Sequence, residues 1–543
     1  MATQKQATPY YTPPASYPGA GMGQRPAQST VKAAPRGLKV TGGKLWQQAR
    51  TTLKGQFVVL AIVILILAVV EALLISQAFS RASGDLDTIN SGSIPSVNAA
   101  QQMAQYIDDI DAKAADYLAT AALTTAQPCS IVGTDRNPGA LTVHDCDDQN
   151  INAEIILANK ALFDAAHNVT YPGERTAVER ITAGFEEYTG YIAIMRHEYE
   201  QAVNKSDPRD VHLQKARQAY QNANDVLQQH ITLQPLINPD GSPIYPEPLA
   251  TLPNCVIGNQ SVPPATWVNG SINDNIDCLS SINKTHLDAA YNDTVSFLSF
   301  TVLLTGALCL IFCIALVFTT WRMAAITHRV INIGLSLAVI ISVILSFNVV
   351  GLFSDMSGRH GSFGQMVKDD YDSIYYAALL KRYGTNANAD ESRWLIAMEF
   401  GDQASASRWQ ADWQANTQQV HTLMANAKAN RTWPEEDQPL ADMQSNWDQY
   451  FAIDGQIRAK ANDLTNPKHI SDAEALSTGL SNLTFDKFSG AVDGLAQANQ
   501  GHYDSTYAST QGALALYVIL SAVLFPLLGL SAVWGVSRRL KDF

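Results

Sequence analysis

The chain has 543 residues, 46% hydrophobic and only 16% charged, with a formal net charge of -13. It is long enough for several domains, and its apolar stretches exclude a wholly soluble protein. The acidic balance disfavours nucleic acid as a partner.

Residues 1–55 combine Pro, Gly, Ser, Gln and Tyr, as in PYYTPPASYPGAGMGQRPAQ, with few aliphatic side chains. Such a segment buries too little apolar surface to offset its ordering entropy, which predicts a disordered cytoplasmic tail. Its Lys39, Lys44, Arg50 and Lys54 suit contact with anionic lipid. Four apolar runs follow, at 56–79, 294–320, 330–353 and 512–536. A helix rises about 1.5 Å per residue and must satisfy its own backbone in lipid, so roughly 20 apolar residues make one crossing. The first run reads as a retained signal anchor. Glu71, inside it, is expected either to pair spans or to reach the headgroups. Only a short turn, 321–329, separates the two central runs, and it carries Arg322 and Arg329 without an acidic residue. Lys and Arg gather beside the runs on one side only, which predicts a plasma-membrane protein with both termini, including the 537–543 tail, and the turn in the cytoplasm.

The segments between spans, 80–293 and 354–511, are then extracytoplasmic, and both carry helical periodicity, for example VNAAQQMAQYIDDIDAKAADYLATAAL after a break at Ile94 and Pro95. Cys129, Cys146, Cys255 and Cys278 all fall in the first segment, as suits an oxidising compartment. Pairing Cys129 with Cys146 and Cys255 with Cys278 closes two Pro/Gly/Asn-rich loops; free thiols are the alternative. Asn-x-Ser/Thr triplets at Asn168, Asn204 and Asn430 suit glycosylation in a secretory pathway.

The second segment repeats the first. Asp108–Asp111 matches Asp369–Asp372, Phe185–Tyr188 matches Trp447–Tyr450, and His286 and Tyr291 match His502 and Tyr507. The offset is nearly constant until it shortens by about the length of the 235–279 loop. The expected fold is therefore all-α: four transmembrane helices carrying two extracytoplasmic antiparallel helical bundles that arose by tandem duplication. A span, a helix with an early Pro (SGSIPSVNAAQQMAQYIDDIDAKAADYL), a bundle and a helix returning as the next span resemble the four-helix-bundle sensor domains of bacterial chemoreceptors and related histidine kinases. The resemblance covers about 56–322 and 330–538. It implies a receptor whose output comes from a cytoplasmic module, and here a separate protein partner would have to supply that output.

Candidate ligand-binding residues follow from the helical faces. Asp108 and Asp111, with Asp369 and Asp372, share a face at i, i+3 spacing, which suits either a cation or basic ligand or a solvated acidic surface. Tyr106, Tyr117, Phe185, Tyr188 and Tyr191, with Tyr375, Tyr376, Trp394, Trp447 and Tyr450, either line a pocket or form core. No GxSxG, HExxH or phosphate-binding loop occurs, so neither catalytic residues nor a metal or other cofactor are expected. The leading expectation is a sensor-like membrane protein, monomeric or homo-oligomeric, that relays outer binding to a partner. A structural or assembly protein of the cell envelope, docking through its bundles, is the other.

Overall fold

The computed structural model describes residues 52–119, 127–133, 139–205, 207–235, 237–239, 243–257, 260–328 and 332–542. The Pro-rich tail lies almost wholly outside these residues, as does Arg329. The chain divides into two units, Met1–Gln56 and Phe57–Phe543, and the second holds the packed helical fold.

Helix α1 (Leu53–Thr88) passes through a π turn (Ile89–Ser93) straight into α2 (Ile94–Ala119). The expected break at Pro95 is absent. The Ile94 N–H donates to the Ile89 carbonyl, widening the ladder by one residue just ahead of the proline, whose missing N–H would otherwise interrupt it. Helices α3 (Val143–His167), α4 (Glu174–Gln201) and α5 (Val211–Gln228) follow, then α6 (Ile272–Thr327). The Ser271 hydroxyl and the Asp274 carboxylate cap the start of α6 reciprocally. This helix runs 56 residues through most of the segment expected to be a turn, and ends at His328 in the left-handed region, φ 51°. The second half consists of α7 (Ile333–Ser357), a π turn (Gln365–Tyr371), α8 (Asp372–Glu399), α9 (Gln403–Ala429), α10 (Asp437–Ala461), α11 (His469–Leu476) and α12 (Asn482–Arg539).

Among the described residues the fold is all-α apart from two small antiparallel hairpins, β1 (Gln127–Cys129) with β2 (Gly139–Leu141) and β3 (Cys255–Ile257) with β4 (Gln260–Val262). Each holds one end of a disulfide, Cys129–Cys146 and Cys255–Cys278, the pairing that loop closure predicted.

Four helices are long and apolar enough to cross a membrane. Within that layer α7 packs between α6 and α12. Phe79 stacks on Phe353 with centroids 4.2 Å apart, and Phe312 meets Phe525 at 6.2 Å. Between apolar helices in lipid, close backbone approach replaces the hydrophobic drive, and small residues permit it. A Cβ on Gly529 of α12 would stand 2.9 Å from the Ala68 Cβ of α1, and one on Gly334 would stand 2.9 Å from the Ser531 carbonyl oxygen. Glu71 is 1% exposed and turned into this layer toward the Cys309 thiol of the neighbouring span.

Beyond the spans, α2–α6 form a first polar module and α8–α12 a second. They repeat one corner. At Asn168 and at Asn430 a helix ends, the next Thr hydroxyl donates to the Asn carbonyl at 3.1 Å, and a glutamate four residues after the Thr accepts two backbone N–H groups. The aromatic residue of the corner then stacks on a histidine of the returning helix: Tyr171 on His286 at 3.8 Å, Trp433 on His502 at 4.1 Å. The pairing of Asp108 with Asp369 does not survive. In the first module Ser93 and Ser96 contact this corner, and in the second Asp370 and Ser373 do. The aspartates of α2 lie further along their helix. The reason is an insertion: the disulfide loop separates α2 from α3, whereas residues 400–402 alone separate α8 from α9.

Gly529→Leu is expected to force α1 and α12 apart and to cost about 1–3 kcal/mol, the usual range for overpacking. Gly306→Ala, whose Cβ would meet only Val350 at 4.0 Å, is the neutral control. Thermal unfolding of both purified variants in detergent checks the difference.

Candidate functional site

Helix α8 decides how the two modules meet. Its stretch Gly384–Ala397, GTNANADESRWLIA, is half polar yet buried at every position, because α2, α9 and α12 all pack against it. Buried polar groups cost free energy unless they find partners. Here the partners come largely from the other module. Arg382 reaches Asp108 at 3.4 Å and also bonds Asp277. Arg393 bridges Asp111 and Asp390, donates to the Tyr220 hydroxyl at 3.1 Å, and lies over the Trp409 ring. Asn386 donates to Asp108 at 3.2 Å and Thr385 to Asp109 at 3.2 Å. Ser392 and Asn482 donate to Asp116 at 2.6 and 2.7 Å. Acids of the first module thus face cations and donors of the second.

The expected ligand-binding residues scatter once placed. Asp108 and Asp111 are 0% exposed, so their shared face is neither solvated nor open to a cation; guanidinium groups occupy it. Tyr188 is buried and donates to Asp111 at 3.4 Å. Asp372 joins a ring of alternating charge: Lys284 contacts Asp288 and Asp372 at 2.9 Å, and Lys368 contacts Asp288 at 2.5 Å and Asp372 at 3.6 Å. Asp369 lies apart, at the Asn430 corner, 3.5 Å from His360. Trp447 and Tyr450 are core of the second module, with ring centroids 5.1 Å apart. Tyr106 and Tyr191 are half-buried on the flank of the first core. Each was selected for its periodicity, and periodicity identifies a buried face without identifying what covers it.

An open cleft of about 390 Å³ lies between the modules beside the charged seam. One wall is α6 with Gln101 of α2; the other is α8 with α9. Of the aromatic residues named from sequence, Tyr375 reaches it, and Tyr383 joins further along the same helix. Asp277, Ser280, Lys284 and Asp288, spaced by three or four residues, form the polar edge of α6 that lines it. That spacing is legible in sequence, although nothing in it says that the edge faces a cleft instead of solvent. The cleft holds hydroxyls, amides and already paired charges, a chemistry suited to holding a small molecule. Among the described residues no cluster of His, Cys, Asp or Glu is arranged to hold a metal ion.

Burial shapes the electrostatics of the second module and the seam. It pushes the Asp108 carboxyl up to about 7, against the pull of Arg382; the unbonded Oδ1 gives the proton a place. Burial likewise pushes Glu391 to about 8, with the Asp454 carboxylate adding to it, and Glu399 to about 7. Unfolded carboxyls titrate near about 4. These groups therefore hold protons in the folded chain that the unfolded chain has released. The stability they contribute is complete below about pH 4 and is lost as pH rises through about 7 to 8.

Arg393→Met is expected to strand Asp111 and Asp390 and to cost about 3–5 kcal/mol, the range for breaking a buried pair from one side. Chemical denaturation of the full chain in detergent reads it. Between about pH 5 and about pH 8 the unfolding temperature should fall, with Glu391→Gln flattening part of the slope. A profile that rises over this range contradicts the assignment.

Comparison with protein-family models, curated proteins and solved structures gives no match, so function has to be argued from the geometry of this chain.

Proposed function

We propose that this chain is a sensor-like integral membrane protein. Its two helical modules lie together on the outer face of the plasma membrane, with both termini and the central turn in the cytoplasm. A ligand held in the cleft between the modules changes how they seat on each other, and a separate protein partner reads the change inside. One observation carries this reading: α6 and α12, which form walls and packing partners of the seam, run 56 and 58 residues from module into span without interruption. Helix α6 carries no proline over this length, whereas Pro526 removes a backbone hydrogen bond of α12 within its span, so a shift at the seam has its most direct path to the far end of the spans through α6. The repeated corner supports tandem duplication as the origin of the two modules. The alternative, an envelope docking protein, draws on the same rigidity of the seam but requires no movement.

Spin labels at Trp321→Cys, where the second span meets the central turn, and at Trp534→Cys in the last span, both exposed, with Cys309 and Cys313 replaced by Ala, test the relay. Occupying the cleft is expected to shift the label spacing by about 1–2 Å, the usual size of a helix displacement at an interface. An unchanged spacing at saturation favours the docking role. Protease added to intact cells should reach both modules and spare the 537–543 tail; cleavage of the tail refutes the orientation.

A further inference from the structure

The cleft between the modules has a composition that restricts what it can hold. Three charged side chains line it, and each is already neutralised by the protein. Asp277 bonds Arg382, Lys284 contacts Asp288 and Asp372, and Asp288 contacts Lys368 as well. A ligand bearing a net charge would either break one of these pairs or enter with no counter-charge free to meet it, and both are costly at a partly desolvated wall. The same argument weighs against a zwitterion, whose two charged ends each need a free partner.

An apolar ligand fares no better. Gln101 is 6% exposed; its amide nitrogen donates to the Ser280 hydroxyl at 2.8 Å, while its amide oxygen is buried without a partner. Hydrocarbon laid over the hydroxyls of Ser281, Thr285 and Thr422 would strip them of water and return no hydrogen bond. Across from α6 stand the Tyr375 and Tyr383 rings and the side chains of Gln419 and Asn426. The cleft therefore offers amides, hydroxyls and two aromatic rings. Its volume, about 390 Å³, falls in the range of small-molecule sites.

We infer that the cleft binds a neutral, polyhydroxylated small molecule, a sugar or polyol of mono- or disaccharide size. Ligand hydroxyls exchange hydrogen bonds with Gln419 and Asn426, and the C–H face of the ring lies on Tyr375 or Tyr383. The wall charges stay paired throughout. This inference rests on the reading of the cleft as the sensory site.

The test is calorimetric titration of the full chain in detergent with glucose, trehalose and mannitol, and in parallel with glutamate and glycine. Saturable binding of at least one of the three neutral compounds is expected, weakened about tenfold, or about 1.4 kcal/mol, by Asn426→Ala and by Tyr383→Ala. Asn426 is exposed, so its variant keeps the fold intact and separates loss of binding from loss of structure. Binding of glutamate or glycine in place of the sugars overturns the assignment, as does saturable sugar binding that both variants leave unchanged, or no binding by any of the three. Sugar binding without a change in the Trp321–Trp534 label spacing upholds the ligand class and overturns only the relay.

Discussion

The stretch Gly384–Ala397 of α8 is half polar and buried throughout, and the meeting of the two modules depends on that constraint. An ionised group taken out of water is tolerated only when an opposite charge and hydrogen bonds replace the solvent. Along Gly384–Ala397 those replacements are divided between two parts of the chain that lie far apart in sequence. Asp108, Asp111 and Asp116 belong to the first module; Arg382, Ser392 and Arg393 belong to the second. Separated, each module would expose or strand its half of the network. The modules are thus halves of one unit, and removing one side of any pair leaves an unpaired charge in a low-dielectric interior, where it is most expensive.

The seam also explains where the cleft can exist. Where α2 and α8 press together, Asp108, Asp109, Asp111 and Asp116 meet donors of the second module. Further along, α6 faces α8 and α9 across the open cleft that Gln101 and Tyr383 line. The membrane layer obeys different rules. Its helices meet through glycine and small residues at Gly529 and Gly334, with aromatic stacking at Phe79 and Phe353. Glu71, enclosed between spans beside the Cys309 thiol, is the exception within it. Helices α6 and α12 pass through both layers, so the charge-matched seam and the close-packed spans are joined by continuous helix.

Much of the local structure was legible. Asn-x-Thr-aromatic-Pro occurs at Asn168 as Asn-Val-Thr-Tyr-Pro and at Asn430 as Asn-Arg-Thr-Trp-Pro, and in both places it builds a corner closed by a stacked histidine. Read only as glycosylation triplets, these stretches concealed the better repeat signal. The acidic match between Asp108–Asp111 and Asp369–Asp372 was misleading because composition repeats more easily than geometry. A helix can carry several aspartates at many registers, whereas a corner needs specific groups at fixed offsets.

The amino-acid sequence by itself determined the four membrane-length helices and the helical class, and it favoured the two disulfide pairs that the structure shows. Each of these depends on hydrophobicity, periodicity or short loop closure, properties contained within one stretch of chain. Only the tertiary structure decided which polar faces meet. Arg393 finds Asp111, and Lys284 finds Asp372, across long intervening stretches and between separate helices. Periodicity marks a side chain as facing inward, but the identity of its partner is a property of how the helices pack. The candidate binding cleft is a product of that packing alone.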